Sequence, residues 1–509
     1  MKKKQLRWTL WTIASPFILF IILCILIYLP PIQNFLVDKA AVYASEATGM
    51  NISVGRISLS FPLNLVVTDV DAASPHKDTL LSVRRLQVNV QLLPLLKKQV
   101  EVDGISLQGA TVNSNDLIHG MRLNGTLGEL FISSHGVALD PETAIVNKVL
   151  LKDTDLSLCL NDTAAADTAA SDTAYWKIIL QDIDLQNVSF ALDMPLDSLS
   201  LAASLDNAIL RDGLIDLHKS AYSLQTFRIK NGRVRYDSGR PSATASADSL
   251  SAGLDPSHIA LTDIGVKLDS LYYEGRNMKA IISQFVLKER SGVEIVSATG
   301  RMVSNDKVLR VPSLKLETRD SYLELNAAMD WNALDFKGEG LVSARLMADI
   351  GKPDVVRFMG SMDEKFIRKY PSEPLRIRTG IGGDLNKLKL TTLTAELPGA
   401  LELFAKGELT SLTDSLLRGG DITLQAETKD LKFISTLAEG IEIPYGTRLE
   451  GKFTMAGPKM GTDLLLMQPE AHAVAAADTI PITVYNDSIS VADDFKMERA
   501  ARLLSLIHI

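Results

Sequence analysis

Ile105-Ser-Leu107-Gln-Gly-Ala-Thr-Val112 decides the reading of this chain, because the phrase returns three times. It stands again as Val149-Leu-Leu151-Lys-Asp-Thr-Asp-Leu156, Ile183-Asp-Leu185-Gln-Asn-Val-Ser-Phe190 and Phe227-Arg-Ile229-Lys-Asn-Gly-Arg-Val234. Each copy alternates apolar and polar residues at period two, is interrupted by Gly, Asn or Asp, and resumes. That is a strand bent by a bulge or turn, not a helix. Copies spaced by roughly 35 to 45 residues imply units that bury an apolar face only by stacking on their neighbours. The expected fold is therefore mainly β: an elongated, curled, repeating sheet forming a groove, with a few short helices.

The chain has 509 residues, a length that predicts about three compact domains unless a repeat array sets the count. Its formal charge is -8. Lys2, Lys3, Lys4 and Arg7 precede the first apolar segment, which leaves 49 basic against 61 acidic residues beyond it. Such a balance argues against nucleic acid as a partner. Cys24 and Cys159 are far apart in sequence and imply no disulfide framework.

Residues 8–29 carry no charge, and about 22 residues at roughly 1.5 Å each cross the hydrocarbon core of a bilayer. The run is too long for the apolar core of a cleaved signal peptide, so it is expected to stay as a transmembrane anchor. Trp8, Trp11, Phe17, Phe20, Tyr28 and Leu29 are its anchor residues, with Trp8, Trp11 and Tyr28 near the two interfaces. The preceding basic residues place 1–7 in the cytoplasm and everything after Pro31 across the membrane.

Ile32, Phe35, Leu36, Ala40, Tyr43 and Ala47 fall on one helical face, so 32–49 reads as an amphipathic helix that Gly49 stops. Its polar face lacks the run of basic residues of a typical surface binder, carrying Lys39 alone, which favours a plug at the end of the sheet over a membrane-surface helix. Strands are expected over 50–160. Residues 161–175, a run of Asp, Thr, Ala and Ser, read as a flexible loop. Strands return over 176–352, a helical insertion covers 353–370, and strands continue over 371–460. Residues 461–509 read as an irregular tail of a chain that stops mid-array.

No chemistry stands out. The seven histidines have no metal-ligand spacing, and there is no phosphate-cradling loop, nucleophile elbow or Cys/His signature. No catalytic residue, metal or cofactor is therefore expected, and the chain does not read as an enzyme. Asp182 and Asp184 share a strand face and read as solvated, as do Arg84 and Arg85. The candidate site is instead the apolar members of the recurring phrase: Ile105, Leu107, Val112, Val149, Leu151, Leu156, Ile183, Leu185, Phe190, Phe227, Ile229 and Val234. They fit either a sandwich core closed by a second sheet or a groove open to an apolar ligand. Periodicity alone does not separate the two.

The order of anchor, Pro30-Pro31-Ile-Gln, amphipathic helix, Ala47-Thr-Gly49-Met-Asn-Ile-Ser-Val54-Gly55-Arg-Ile57 and Thr68-Asp-Val70 resembles the start of AsmA-like proteins. Asp78-Thr-Leu-Leu81, Leu95-Leu-Lys-Lys-Gln-Val100-Glu-Val-Asp-Gly-Ile105, Lys288-Glu-Arg-Ser-Gly-Val293 and Leu316-Glu-Thr-Arg-Asp-Ser321 are similar to the TamB branch (translocation and assembly module, inner-membrane component) in the form seen in Bacteroidota. The resemblance covers roughly residues 8 to 460. It implies an inner-membrane anchor, a periplasmic β-groove and a role in outer-membrane biogenesis, as a phospholipid conduit between inner and outer membranes. The alternative it implies is a scaffold for assembly or secretion of outer-membrane proteins with an Omp85-type barrel. On this resemblance about 40 strands at roughly 4.8 Å are expected to stack into one long sheet. TamB proteins are much longer, and the C-terminal domain that meets the barrel has no counterpart here, so the chain resembles an N-terminal fragment.

Overall fold

The computed structural model describes residues 39, 41–42, 45–46, 49–60, 64–74, 79–90, 102–114, 120–139, 142–161, 175–239, 253–335, 340–359, 364–436, 445–457, 459–467, 479–485 and 488–491. The chain is mainly β and divides into two compact units, residues 1–240 and 241–509. The expected anchor over 8–29 and most of the loop over 161–175 lie outside the described residues. Among the described residues no helix is long and apolar enough to cross a membrane. Lys39, Ala41, Val42, Ser45 and Glu46 are helical. Gly49 stops this helix with φ +68°, its N–H donating to the Ser45 carbonyl at 2.9 Å.

The first unit holds β1 (Asn51–Ser60), β2 (Asn64–Ala73), β3 (Thr79–Val90), β4 (Val102–Asn113), β5 (Met121–Leu139), β6 (Glu142–Leu160), β7 (Lys177–Met194), β8 (Leu199–Asp216), β9 (Ala221–Leu224) and β10 (Thr226–Ser238). From β1 to β6 each strand pairs antiparallel with the next. β6 and β7 pair in parallel, then β8 pairs antiparallel with β7, β9 and β10. Residues 161–175 thus connect two paired strands of one unit, and the division between units falls at 240, inside a second Ser/Ala-rich run.

The second unit holds β11 (His258–Glu274), β12 (Asn277–Glu289), β13 (Glu294–Ser304), β14 (Val308–Thr318), β15 (Tyr322–Asp330), β16 (Val342–Ile350), β17 (Leu375–Gly383), β18 (Lys387–Leu397), β19 (Leu401–Thr410), β20 (Gly419–Thr428), β21 (Arg448–Ala456), β22 (Lys459–Met467), β23 (Thr479–Tyr485) and β24 (Ser488–Val491). Each pairs antiparallel with its successor. The described residues thus form 24 strands rather than about 40, because many are far longer than the eight-residue phrase; β5 and β6 have 19 residues each. The expected irregular tail contains β23 and β24 and nearly all of β22. Ile480, Ile482 and Val484 alternate there, and the Ala-rich stretch before them masked that signal.

The interruption in the recurring phrase is a backbone event. Gly109, Asp153, Asn187 and Asn231 all lie in the left-handed region, with φ between 50° and 63°, as does Asp69 of β2. Gly has no Cβ penalty there, and Asn and Asp tolerate it best among the rest. At each of these positions the ladder skips one residue on both strands. Gln108 faces Glu129 and Ala110 faces Leu127; Lys152 faces Gln186 and Thr154 faces Val188. The skipped residue shifts the period-two alternation by one, so apolar residues on both sides of it share a face. In β10, Phe227, Ile229 and Val234 are half-buried and Gly232 is buried, whereas Arg228, Lys230, Asn231, Arg233 and Arg235 are exposed. The skipped residues touch across strands: Asn187 Nδ2 donates to Asp153 Oδ1 at 2.9 Å and Asn231 Nδ2 to Asp206 Oδ2 at 2.8 Å. Gly128 is held small, since a Cβ there would meet the Asp153 Cβ at 2.8 Å.

The second unit obtains the same phase shift with two-for-one bulges. Ser283-Gln284 of β12 lies opposite Thr299, Pro312-Ser313 of β14 opposite Asn326, and Thr391-Thr392 of β18 opposite Lys406. Pro312 has no N–H to pair, which a bulge tolerates, and its carbonyl accepts from Asn326 Nδ2 at 2.8 Å. The helical insertion forms α1 (Lys352–Phe358) and α2 (Glu364–Lys369) without breaking the ladder, since Ile350 of β16 faces Leu375 of β17. Here lies a closed core: Phe366, Tyr370, Leu397, Ala400, Leu431 and Phe433, packed against Leu375 and Leu401. The Phe366, Tyr370 and Phe433 rings lie 5.1 to 5.8 Å apart, and burial pushes the Tyr370 phenol pKa up. Buried Asp354 ties α1 to the β14–β15 turn by accepting from Thr318 Oγ1, from Ser321 Oγ at 2.6 Å and from Arg357 at 3.0 Å.

Asn187→Val, a β-branched residue in a left-handed position, is expected to lower stability by about 1–3 kcal/mol, and Asn187→Gly by less. Phe366→Ala is expected to cost about 3–5 kcal/mol. Urea unfolding of the whole chain, followed by circular dichroism, checks both.

Candidate functional site: an apolar face in four rows

The phase shift aligns apolar residues into rows that run across strands. In the first unit one row is Leu59, Leu65, Val88, Ile105, Ile132, Val149, Ile183, Leu210 and Phe227, each facing the next in register. Beside it run Ile57, Val67, Leu86, Leu107, Leu130, Leu151, Leu185, Ala208 and Ile229. Beyond the skipped residues lies a row through Val83, Ala110, Leu127, Thr154, Val188, Leu205 and Gly232, and then one through Leu81, Val112, Gly125, Leu156, Phe190, Ala203 and Val234. None of the rows contains an ionisable side chain.

All twelve sequence-predicted residues lie in these rows. They bring together the outer two rows and one of the inner pair; the row through Ala110 and Thr154 was passed over. Strands β5 and β8 were passed over as well: Leu127-Gly-Glu-Leu130 and Leu205-Asp-Asn-Ala208 carry the same step, but Gly125 and Ala203 stand where the four copies have a large apolar residue. That step was the signal that would have found them. The predicted anchor residues Trp8, Trp11, Phe17, Phe20, Tyr28 and Leu29 lie outside the described residues.

None of the twelve is buried. Eleven are half-buried, and Phe190 is 38% exposed. The buried apolar residues described in this unit are Ala72, Leu80, Val83, Ala208 and Ala221, mostly small. The rows therefore lack the large, fully enclosed side chains of a sandwich core. A contiguous apolar surface of this kind is the usual mark of a binding face.

Four rows also cross β14 to β21 in the second unit. One is Leu314, Leu325, Leu346, Thr379, Leu393, Ala405, Leu424 and Gly451; another is Leu316, Leu323, Ala348, Ile377, Ala395, Leu403, Ala426 and Leu449. The opposite faces carry the charged residues of these strands, together with apolar ones such as Phe131, Leu150 and Ile209. Arg211 of β8 pairs with Asp182 and, at 2.9 Å, with Asp184, so these carboxylates, read as solvated, are half-buried and ion-paired. A depression of about 520 Å³ on the charged face of β18–β21 is lined by Glu396, Glu402, Glu427, Arg448 and Glu450, and ion pairs already engage most of them. Among the described residues no cluster of His, Cys, Asp and Glu could hold a metal ion.

No family model, curated protein or solved structure matches this chain.

On an open face a new carboxylate keeps its water, so Leu185→Asp is expected to cost only the lost half-burial, about 2 kcal/mol. Phe366→Asp, inside the closed core, is expected to abolish cooperative unfolding of its unit. Parallel urea titrations compare the two.

Proposed function

We propose that this chain is an AsmA-like protein of the TamB type, held in the inner membrane by residues 8–29, that carries phospholipids through the periplasm along its apolar face. The single observation behind this reading is the face itself: four half-buried apolar rows, free of ionisable groups, repeated in each unit. At the left-handed residues and the doubled residues described above, the added residue lengthens the polar face, so the strands bend toward the apolar one and form a trough. An acyl chain there gains about 0.8 kcal/mol per buried CH₂ while its head group stays in water. Transport needs only that successive sites be similar in energy, which rows of Leu, Ile, Val and Ala supply. The function needs no catalytic residue, metal or cofactor.

Mass spectrometry of lipids that co-purify with the whole chain tests the reading against a variant carrying Leu107→Asp, Leu185→Asp and Ile229→Asp. Phospholipid is expected on the parent and lost from the folded variant. A folded parent without lipid refutes the conduit and turns attention to the strand edges, where an outer-membrane protein strand could add by β-augmentation.

A further inference from the structure

The last strand of the first unit carries a line of cations on its polar side. In β10, Arg228, Lys230, Arg233 and Arg235 are all exposed and lie on the face opposite Phe227, Ile229 and Val234. Lys230 and Arg233 stand three residues apart, and skipped Asn231 brings them back to one side. The four charges therefore follow one another at every second ladder position, about 6.6 Å apart over about 20 Å. The strand Thr226–Ser238 sets these four cations against one carboxylate, Asp237, in a chain whose formal charge is -8.

The neighbouring strand does not neutralise them. Ile209, Asn207, Ser204 and Ala202 of β8 face Arg228, Lys230, Arg233 and Arg235 in register. The carboxylate that β8 sets beside the line, Asp206, accepts from Asn231 Nδ2, and Asp237 pairs with Arg235 at 2.7 Å. Among the described residues Arg228, Lys230 and Arg233 have no ion-pair partner. Arg211, on the same face of β8, is by contrast held by two carboxylates. A row of like charges repels itself, and a bound polyanion relieves that repulsion.

Spacing and surroundings select the polyanion. On the same face of β6, β7 and β8, Asp153, Asp155, Asp193 and Asp206 are exposed, so a flat anionic bilayer would meet carboxylates together with the cations. The bases of a nucleic acid strand stack on aromatic rings, and the rings of β10, Phe227 and Tyr236, belong to the apolar face. An extended polypeptide is one strand wide and sets alternate side chains on one side at the same spacing of about 6.6 Å. We infer that the polar face of β10 docks an extended acidic segment of a partner protein, whose alternate Asp or Glu side chains pair with Arg228, Lys230, Arg233 and Arg235. The site lies on the side of the strand turned away from the apolar rows and stands independently of the conduit reading.

The whole chain, reconstituted in phosphatidylcholine nanodiscs, is titrated at low salt with a fluorescein-labelled peptide that alternates four glutamates with threonines, and binding is read by fluorescence anisotropy. Arg228→Gln with Lys230→Gln and Arg233→Gln is expected to weaken binding about ten-fold, or 1.4 kcal/mol, with the circular dichroism of the parent retained. Lys279→Gln with Arg301→Gln and Arg310→Gln removes as many exposed cations from β12, β13 and β14 and is expected to leave binding unchanged. High salt is expected to release the peptide, since the pairs are exposed. No binding to the parent, no loss in the first variant, or equal loss in both overturns the assignment. So does tighter binding, dependent on Arg228, Lys230 and Arg233, of phosphatidylglycerol nanodiscs or of oligothymidylate, which would make the occupant a membrane or a nucleic acid.

Discussion

One constraint runs through both units: where a strand departs from strict alternation in the middle of the apolar rows, the added residue lies on the polar face. A strand that simply gained a residue would turn its remaining apolar side chains into water, since alternation has no tolerance for a slip. Here the left-handed Gly, Asn or Asp in the first unit, and the doubled Ser-Gln, Pro-Ser and Thr-Thr in the second, absorb the slip locally. The apolar rows stay continuous because these irregularities are confined to the other side.

That constraint also explains what the sequence displayed and what it hid. The phrase was legible in β4, β6, β7 and β10 because all four copies keep the full spacing around Gly109, Asp153, Asn187 and Asn231. In β5 and β8 the same spacing holds, but Gly125 and Ala203 replace a large apolar residue, and Gly128 and Asp206 take part without the positive φ. The apparent spacing of the copies was therefore the spacing of the most regular strands, while the true repeat is the single strand. The closed core of the second unit was legible only as a helical stretch near 353–370; that Phe366 would meet Phe433 depends on contacts between residues distant in sequence, which periodicity does not encode.

Apolar surface is placed in two ways. Phe366, Tyr370 and Phe433 enclose one another, and α1 is fastened by the Asp354 network, so this corner has the packing of an ordinary core. The rows have no such enclosure: Leu107, Leu185 and Ile229 are shielded mainly by their neighbours along the row. A protein of this design stabilises itself by ladder hydrogen bonds and side-by-side contacts, and leaves the outward half of its apolar surface for something else to cover.

The parallel pairing of β6 with β7 bears on how the first unit forms. Every other ladder from β1 to β8 joins strands that follow one another antiparallel and can close from a nearby turn, whereas Thr143 must find Lys177 and Cys159 must find Asp193, each 34 residues ahead. Local hairpins form in microseconds, and the search for distant partners sets the pace. The meander before β6 and the one after β7 are thus two seeds that assemble independently, and their union is the slow event in folding of the unit.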